Sequence, residues 1–167
     1  MKLAYRGKLL SLFHKELTLP NGHRCRLEVI KHPGAVLVIP FLSPDKIIFL
    51  RQLRPAIDAY IYELPAGTLG RGEAPSACAR REIIEETGYS CSRLKKLGEI
   101  FPVPGYSTEK ISIYEAHGLK PVKHCREKDE IIESFIVTKK QVGRFFKSGK
   151  IKDAKTICAL SFCGWLK

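Results

Sequence analysis

The sequence predicts a single layered α/β domain in which strands are mixed with helices, fronted by an N-terminal antiparallel strand segment. Three observations predict it. The first third alternates apolar strand-like runs with tight turns, the stretch Pro75 to Thr87 switches to helical spacing, and two more helical stretches close the chain. A chain of 167 residues has room for one such domain. Its 44% hydrophobic and 28% charged content matches an ordinary globule and argues against disordered and fibrous classes. We divide it into residues 1–30, the strand segment, and residues 31–167, the main domain.

The elements follow in order. Leu9 to Leu19 and Cys25 to Ile30 flank Pro20-Asn21-Gly22, and Asn-Gly accepts the positive φ of a hairpin turn. Ala35 to Leu42 and Lys46 to Leu50 flank Ser43-Pro44-Asp45 as a second hairpin, and their unbroken apolar runs predict cover on both faces. Pro75 suits the first position of a helix and Gly88 the position just beyond its end. Leu97 to Ile100 and Lys110 to Ala116 read as strands separated by the loop Phe101 to Tyr106. Ile131 to Val137 reads as the last strand. Thr138 to Ser148 and Ala154 to Leu166 carry helical spacing, broken at Gly149.

Composition excludes several function classes. The longest apolar run, Ala35 to Leu42, is far short of the roughly 18 residues that span a bilayer. Tyr5, Arg6 and Lys8 follow Met1 too closely for an apolar signal-peptide core. Both points favour a cytoplasmic protein with no membrane partner. Six cysteines (Cys25, Cys78, Cys91, Cys125, Cys158 and Cys163) form no C-x-x-C pair, so a zinc cluster or redox motif lacks support and reduced thiols are expected. Twenty-nine basic against seventeen acidic residues give a net charge of +12, which favours anionic partners. From Thr138 onward, eight basic residues face only Asp153.

The chemistry concentrates between Gly67 and Tyr89. At about 100° per residue, Glu82, Glu85 and Glu86 share one helix face within an arc of about 100°. Three carboxylates so close repel one another unless a cation sits among them, and hard oxygen donors select Mg²⁺ or Mn²⁺. Arg81, four residues before Glu85, can pair with that carboxylate. Gly67, Gly70 and Gly72 let the preceding backbone turn sharply and approach a ligand. An acidic run is usually a solvated face, but this one lies in a basic chain behind a glycine-rich loop.

These residues resemble the Nudix hydrolase family. Its box, G-x5-E-x7-R-E-U-x-E-E-x-G-U with U apolar, is matched by Gly67, Glu73, Arg81, Glu82, Ile83, Glu85, Glu86 and Gly88, with Tyr89 a mild departure at the last apolar position. The resemblance implies an α/β/α sandwich around a mixed sheet and Mg²⁺-dependent hydrolysis of a nucleoside diphosphate linked to another group, with Mn²⁺ as a substitute. It implies Glu82 and Glu86 as metal ligands, joined by the Ala66 carbonyl, with Glu85 helping to hold metal or water and Glu73 structural.

Segments outside the box are similar to the ADP-ribose pyrophosphatase branch. They are Gln52-Leu53-Arg54, Glu63-Leu64-Pro65-Ala66-Gly67, the loop Pro102-Val-Pro104-Gly105-Tyr-Ser107-Thr-Glu109, and Asp153-Ala154-Lys155-Thr156. Taken singly, each segment reads as structural more readily than as functional. Together they imply that Arg54 and Glu63 serve the substrate, that Pro104 and Gly105 shape its loop, and that Ser107 and Glu109 lie near the terminal sugar. The branch draws its catalytic base from a late acidic loop, here Arg126 to Glu130. Glu130 is the first choice and Glu127 the second, and such a carboxylate could close over substrate and take a proton from the attacking water. A charged turn with no role is the competing reading, since Lys128 interrupts the acidic run.

The expected substrate is ADP-ribose or a related nucleoside diphosphate sugar. GDP-mannose, another nucleotide-linked substrate, or a basic RNA-binding module stand as alternatives. Arg144-Phe145-Phe146-Lys147 sets aromatics among cations, but Val142 and Phe146 at helical spacing point to packing, so nucleic acid is not favoured. The histidines His14, His23, His32, His117 and His124 show no ligand spacing. The family resemblance also implies a homodimer formed through residues 1–30.

Overall fold

The computed structural model describes residues 1–7, 10–123 and 131–166. Three strands open the chain: β1 (Lys2–Arg6), β2 (Ser11–Thr18) and β3 (Arg24–Lys31). They form a separate antiparallel sheet in the order β1-β2-β3. The hairpin at Pro20 to Gly22 stands where the turn residues predicted it, closed by Gly22 N–H donating to the Leu19 carbonyl at 2.9 Å. Strand β1 was not foreseen, because all five of its residues are exposed and carry no alternation.

The main sheet has seven strands in a mixed arrangement. Its centre is β4 (Ala35–Ser43), which runs antiparallel to β5 (Lys46–Arg54) and parallel to β9 (Ile111–Pro121). Strand β8 (Tyr89–Ile100) flanks β9, and β10 (Ile132–Thr138) flanks β5. Strand β8 begins eight residues before the predicted Leu97, since its early part is polar and is held by pairing with β9 rather than by apolar content.

Two short strands, β6 (Ala59–Glu63) and β7 (Ala66–Thr68), also escaped the sequence pattern. Strand β6 pairs with β5 and β7 pairs with β4, so residues 63–66 cross between these neighbours, and Val38 N–H donates to the Pro65 carbonyl at 2.8 Å.

Period-two alternation on β4 explains the layers. Val36 and Val38 pack with Cys78, Ala79 and Ile83 of α1 (Pro75–Thr87). Leu37, Ile39 and Phe41 pack on the other face with Val142 of α2 (Lys139–Lys147) and Leu160 of α3 (Ala154–Phe162). The predicted double-sided cover and α/β/α sandwich both hold. Helix α3 ends before the predicted Leu166, as Cys163 and Gly164 close its last turn.

The helix ends follow local chemistry. Pro75 occupies the start of α1, and Gly88 closes it at φ 76°, donating to the Ile84 carbonyl, a left-handed conformation costly for other residues. Thr138 and Gln141 form a reciprocal capping box on α2, and Asp153 caps α3. The loop after β8 is tied to the end of β3, where Ile30 N–H donates to the Tyr106 carbonyl and Thr108 N–H to the Ile30 carbonyl. No helix among the described residues is long and apolar enough to cross a membrane.

Candidate active site

The site is assembled where residues 63–67 cross the sheet beneath α1. Glu82 and Glu86 are one turn apart on the helix and both are buried. Glu86 Oε2 accepts the Ala66 N–H at 2.9 Å. The Glu82 carboxylate lies so close to Gly67 that a Cβ there would stand 1.8 Å from Oε1. The first box glycine therefore serves a close approach of carboxylate to backbone rather than an unusual dihedral angle.

Arg81 gathers the remaining acidic groups. Its Nε donates to Glu73 Oε1 at 3.0 Å, its Nη2 to Glu73 Oε2 at 3.1 Å, and its Nη1 to Glu85 Oε2 at 2.8 Å. The same Nη1 lies 2.6 Å from Glu82 Oε1. Glu73 also accepts the Gly70 N–H at 2.8 Å, so it locks the glycine-rich loop to the helix, as its structural role implied. Hydrogen bonds from Arg81 and then Gly70 hold the Glu73 carboxyl down at about 2. Burial pushes the neighbouring Cys78 thiol up to about 12.

Across the cleft, Glu63 is fully buried. Its Oε1 accepts from Arg54 Nε at 2.6 Å and its Oε2 from Arg54 Nη2 at 2.8 Å. Oε2 also accepts from Lys155 Nζ, which donates in turn to Asp153 Oδ1 at 2.8 Å. Burial opposes ionisation of Glu63, but the Arg54 fork and the Lys155 charge outweigh it and hold its carboxyl below the ordinary value.

A cleft of about 360 Å³ lies between the two groups, walled by Arg54, Ala66, Gly67, Pro102, Glu109 and Lys155 among others. A larger hollow of about 550 Å³ runs along the β2–β3 hairpin beside Glu16, Arg24 and Arg26. That hollow holds none of the box residues, whereas Gly67 and Thr68 line the smaller cleft and single it out.

The structure thus brings together Arg54, Glu63, Ala66, Glu82, Glu86 and Glu109, with Glu85 at their edge and partly exposed. Ser107 supports the cleft from behind, its Oγ accepting the Glu109 N–H at 3.1 Å. Pro104 and Gly105 sit on an exposed turn outside the lining, where Pro102 takes the place expected of them. Glu127 and Glu130 lie outside the described residues. Sequence reasoning missed Lys155 and Asp153 as site residues. The available signal was Asp153 three residues before Thr156 at a helix start, which marks a cap but not its neighbour.

Among the described residues no three acidic, histidine or cysteine side chains converge on one point. Arg81 instead supplies the cation that bridges Glu73, Glu82 and Glu85. The carboxylates set against this backbone, Glu82 at Gly67 and Glu86 at Ala66, nonetheless offer oxygen donors beside the Ala66 peptide. Such donors fit a hard divalent cation.

Known proteins resemble this chain over most of its length. A family model described as the NUDIX domain matches residues 31–160. An ADP-ribose pyrophosphatase of Bacillus subtilis (strain 168) is 36% identical over 160 residues, covering 95% of this chain and 86% of the relative. A methanol dehydrogenase activator of Bacillus methanolicus is 34% identical over the same length and shares of both chains. The crystal structure of an ADP compounds hydrolase superposes with a TM-score of 0.85 at 22% identity, covering 96% of this chain and 88% of that one, a likeness of fold.

Proposed function

The chain belongs to the Nudix family and is a Nudix hydrolase, and from that premise we propose that it splits the diphosphate bond of ADP-ribose, or of a closely related ADP-sugar, into AMP and a sugar phosphate with Mg²⁺. The observation that carries the reading is that one cleft is lined by Arg54, which Glu63 holds, by Glu109, and by Ala66 and Gly67, the backbone against which Glu86 and Glu82 pack. The Bacillus subtilis relative, an ADP-ribose pyrophosphatase over most of the chain, supports the choice of substrate.

The chain's residues divide the work. Arg54, held by Glu63, keeps its Nη1 free of hydrogen bonds to other described residues and turns it to the anion's oxygens. Glu109, with its backbone fixed by Ser107, accepts hydroxyl protons of the distal sugar. Pro104 and Gly105 shape the loop that carries them. Glu82, Glu86 and the Ala66 carbonyl, aided by Glu85, hold the divalent ion, with Mn²⁺ a substitute for Mg²⁺. When bound, that ion neutralises phosphate charge and makes water a better nucleophile. Glu130, or failing it Glu127, takes the proton of the attacking water, and Glu85 helps to hold that water or the metal.

The test is turnover. Purified protein with Mg²⁺ and ADP-ribose releases AMP and ribose 5-phosphate, and a panel of nucleoside diphosphate sugars ranks ADP-ribose first by kcat/KM. Preference for GDP-mannose overturns the substrate and keeps the machinery, whereas inertness toward the whole panel ends the reading. Glu82→Gln and Glu86→Gln lower kcat by orders of magnitude with the fold retained. An RNA-binding module would tolerate both.

We further propose that residues 1–30 pair two copies into a homodimer and that residues 31–167 form the hydrolase domain. Exposed Leu3, Tyr5 and Leu27 on the N-terminal sheet support the pairing. Sedimentation that finds only monomer removes it. The proposal includes a cytoplasmic setting, where reducing conditions suit thiols such as buried Cys78.

A further inference from the structure

We propose that Lys155 is a positioning residue of the diphosphate site: it balances the charge of Glu63 and Asp153 so that Arg54 faces the substrate from a charge-balanced cluster. The proposal rests on the hydrolase reading above and adds to it a residue from the last helix.

The geometry is a chain of bonds whose longest step, from Lys155 to Glu63, spans 92 residues of sequence. Asp153 Oδ2 accepts the Thr156 N–H at 3.0 Å as the cap of α3, and its Oδ1 accepts from Lys155 Nζ at 2.8 Å. Lys155 Nζ then donates to Glu63 Oε2, and Glu63 holds Arg54 through two bonds. Beside this relay the buried Thr156 Oγ1 accepts the Leu64 N–H at 3.0 Å. The first turn of α3 thus grips Glu63 by its side chain and Leu64 by its backbone, two residues before Ala66 enters the cleft.

Charge gives the relay its purpose. Glu63, Asp153 and Lys155 have only 1%, 12% and 18% of their side chains exposed, and Arg54 has 38%. The two cations and two carboxylates cancel. Arg54, Asp153 and Lys155 all line the cleft. Loss of the lysine charge leaves this four-residue cluster one unit negative where a diphosphate must approach, and Asp153 loses the cation that donates a hydrogen bond to it. Lysine is well suited, because one ammonium can serve two carboxylates at once.

The experiment is a charge-balance cycle read by kinetics and by binding. Lys155→Met is expected to raise KM for ADP-ribose about tenfold while kcat changes less than about threefold. Lys155→Arg recovers most of the loss. The double variant Lys155→Met with Asp153→Asn restores neutrality and keeps a capping side chain, so it recovers KM although it carries two changes. Melting curves establish that each variant folds, and Lys155→Gln replaces Lys155→Met if the latter does not.

Calorimetric affinity for ADP-ribose follows the same order. Unchanged KM and affinity in Lys155→Met overturn the proposal, as does additive loss in the double variant. A wild type that binds ADP-ribose without splitting it ends the hydrolase reading and leaves the relay to be judged by affinity. A wild type that neither binds nor splits it ends both.

Discussion

A methyl group added to Gly67 would stand 1.8 Å from Glu82 Oε1 and 2.0 Å from its carboxyl carbon, so Gly67→Ala must expel that carboxylate from β7. The expected result is loss of about 100-fold in kcat, the scale of an ångström misplacement, with a lower melting temperature. Near-normal turnover would show that Glu82 does not work from this position. The Glu73–Arg81 pair offers a second test. Glu73 titrates at about 2 in the folded chain against an ordinary 4.5, so its contribution is fully present above the higher value. It is lost as pH falls from there toward 2. Melting temperatures of the wild type and Glu73→Gln should therefore differ by a constant amount down to about pH 5 and converge below it. A gap still constant at pH 3 would mean that the pair does not stabilise the ionised carboxylate.

At the scale of the element, α1 must serve the core and the chemistry at once. Ile83 is fully buried against Val36 and Val38, on the turn that holds Glu82 and Glu86. Ile83→Ala should cost about 2–5 kcal/mol in denaturant unfolding and lower activity only as far as the folded fraction falls. A specific loss of kcat in fully folded protein would mean that packing here also sets carboxylate geometry. This element was legible in the sequence because glycines, proline, arginine and carboxylates each occupy a fixed local position. The same local logic revealed the β2–β3 turn and both faces of β4. It failed for β6 and β7, whose few residues are strands only because β5 and β4 offer them partners. It failed also for Lys155, whose role depends on Glu63, 92 positions away, and no local pattern carries a contact of that span. Arg54 and Glu63 stood out through resemblance, but their pairing belongs to the folded chain.

The whole molecule sets a positive field around a negative site. The chain carries a net charge of +12, yet Glu82 and Glu86 are buried beside the cleft, and an approaching diphosphate meets them at short range. At longer range the basic surplus dominates, and exposed cations beyond a Debye length of about 10 Å act only when salt is low. Steering of this kind affects capture more than the bond-breaking step. Raising the salt from about 0.05 to 0.5 M should therefore lower kcat/KM for an anionic nucleotide sugar by several-fold and leave kcat nearly unchanged at saturating metal. Replacing Lys140 and Arg144, both exposed on α2, by glutamine should flatten that salt dependence only if the C-terminal cations supply the field. A salt dependence that survives the replacement assigns the attraction to Arg54 and its neighbours in the cleft. A kcat/KM already independent of salt in the wild type would mean that the surplus charge plays no part in capture.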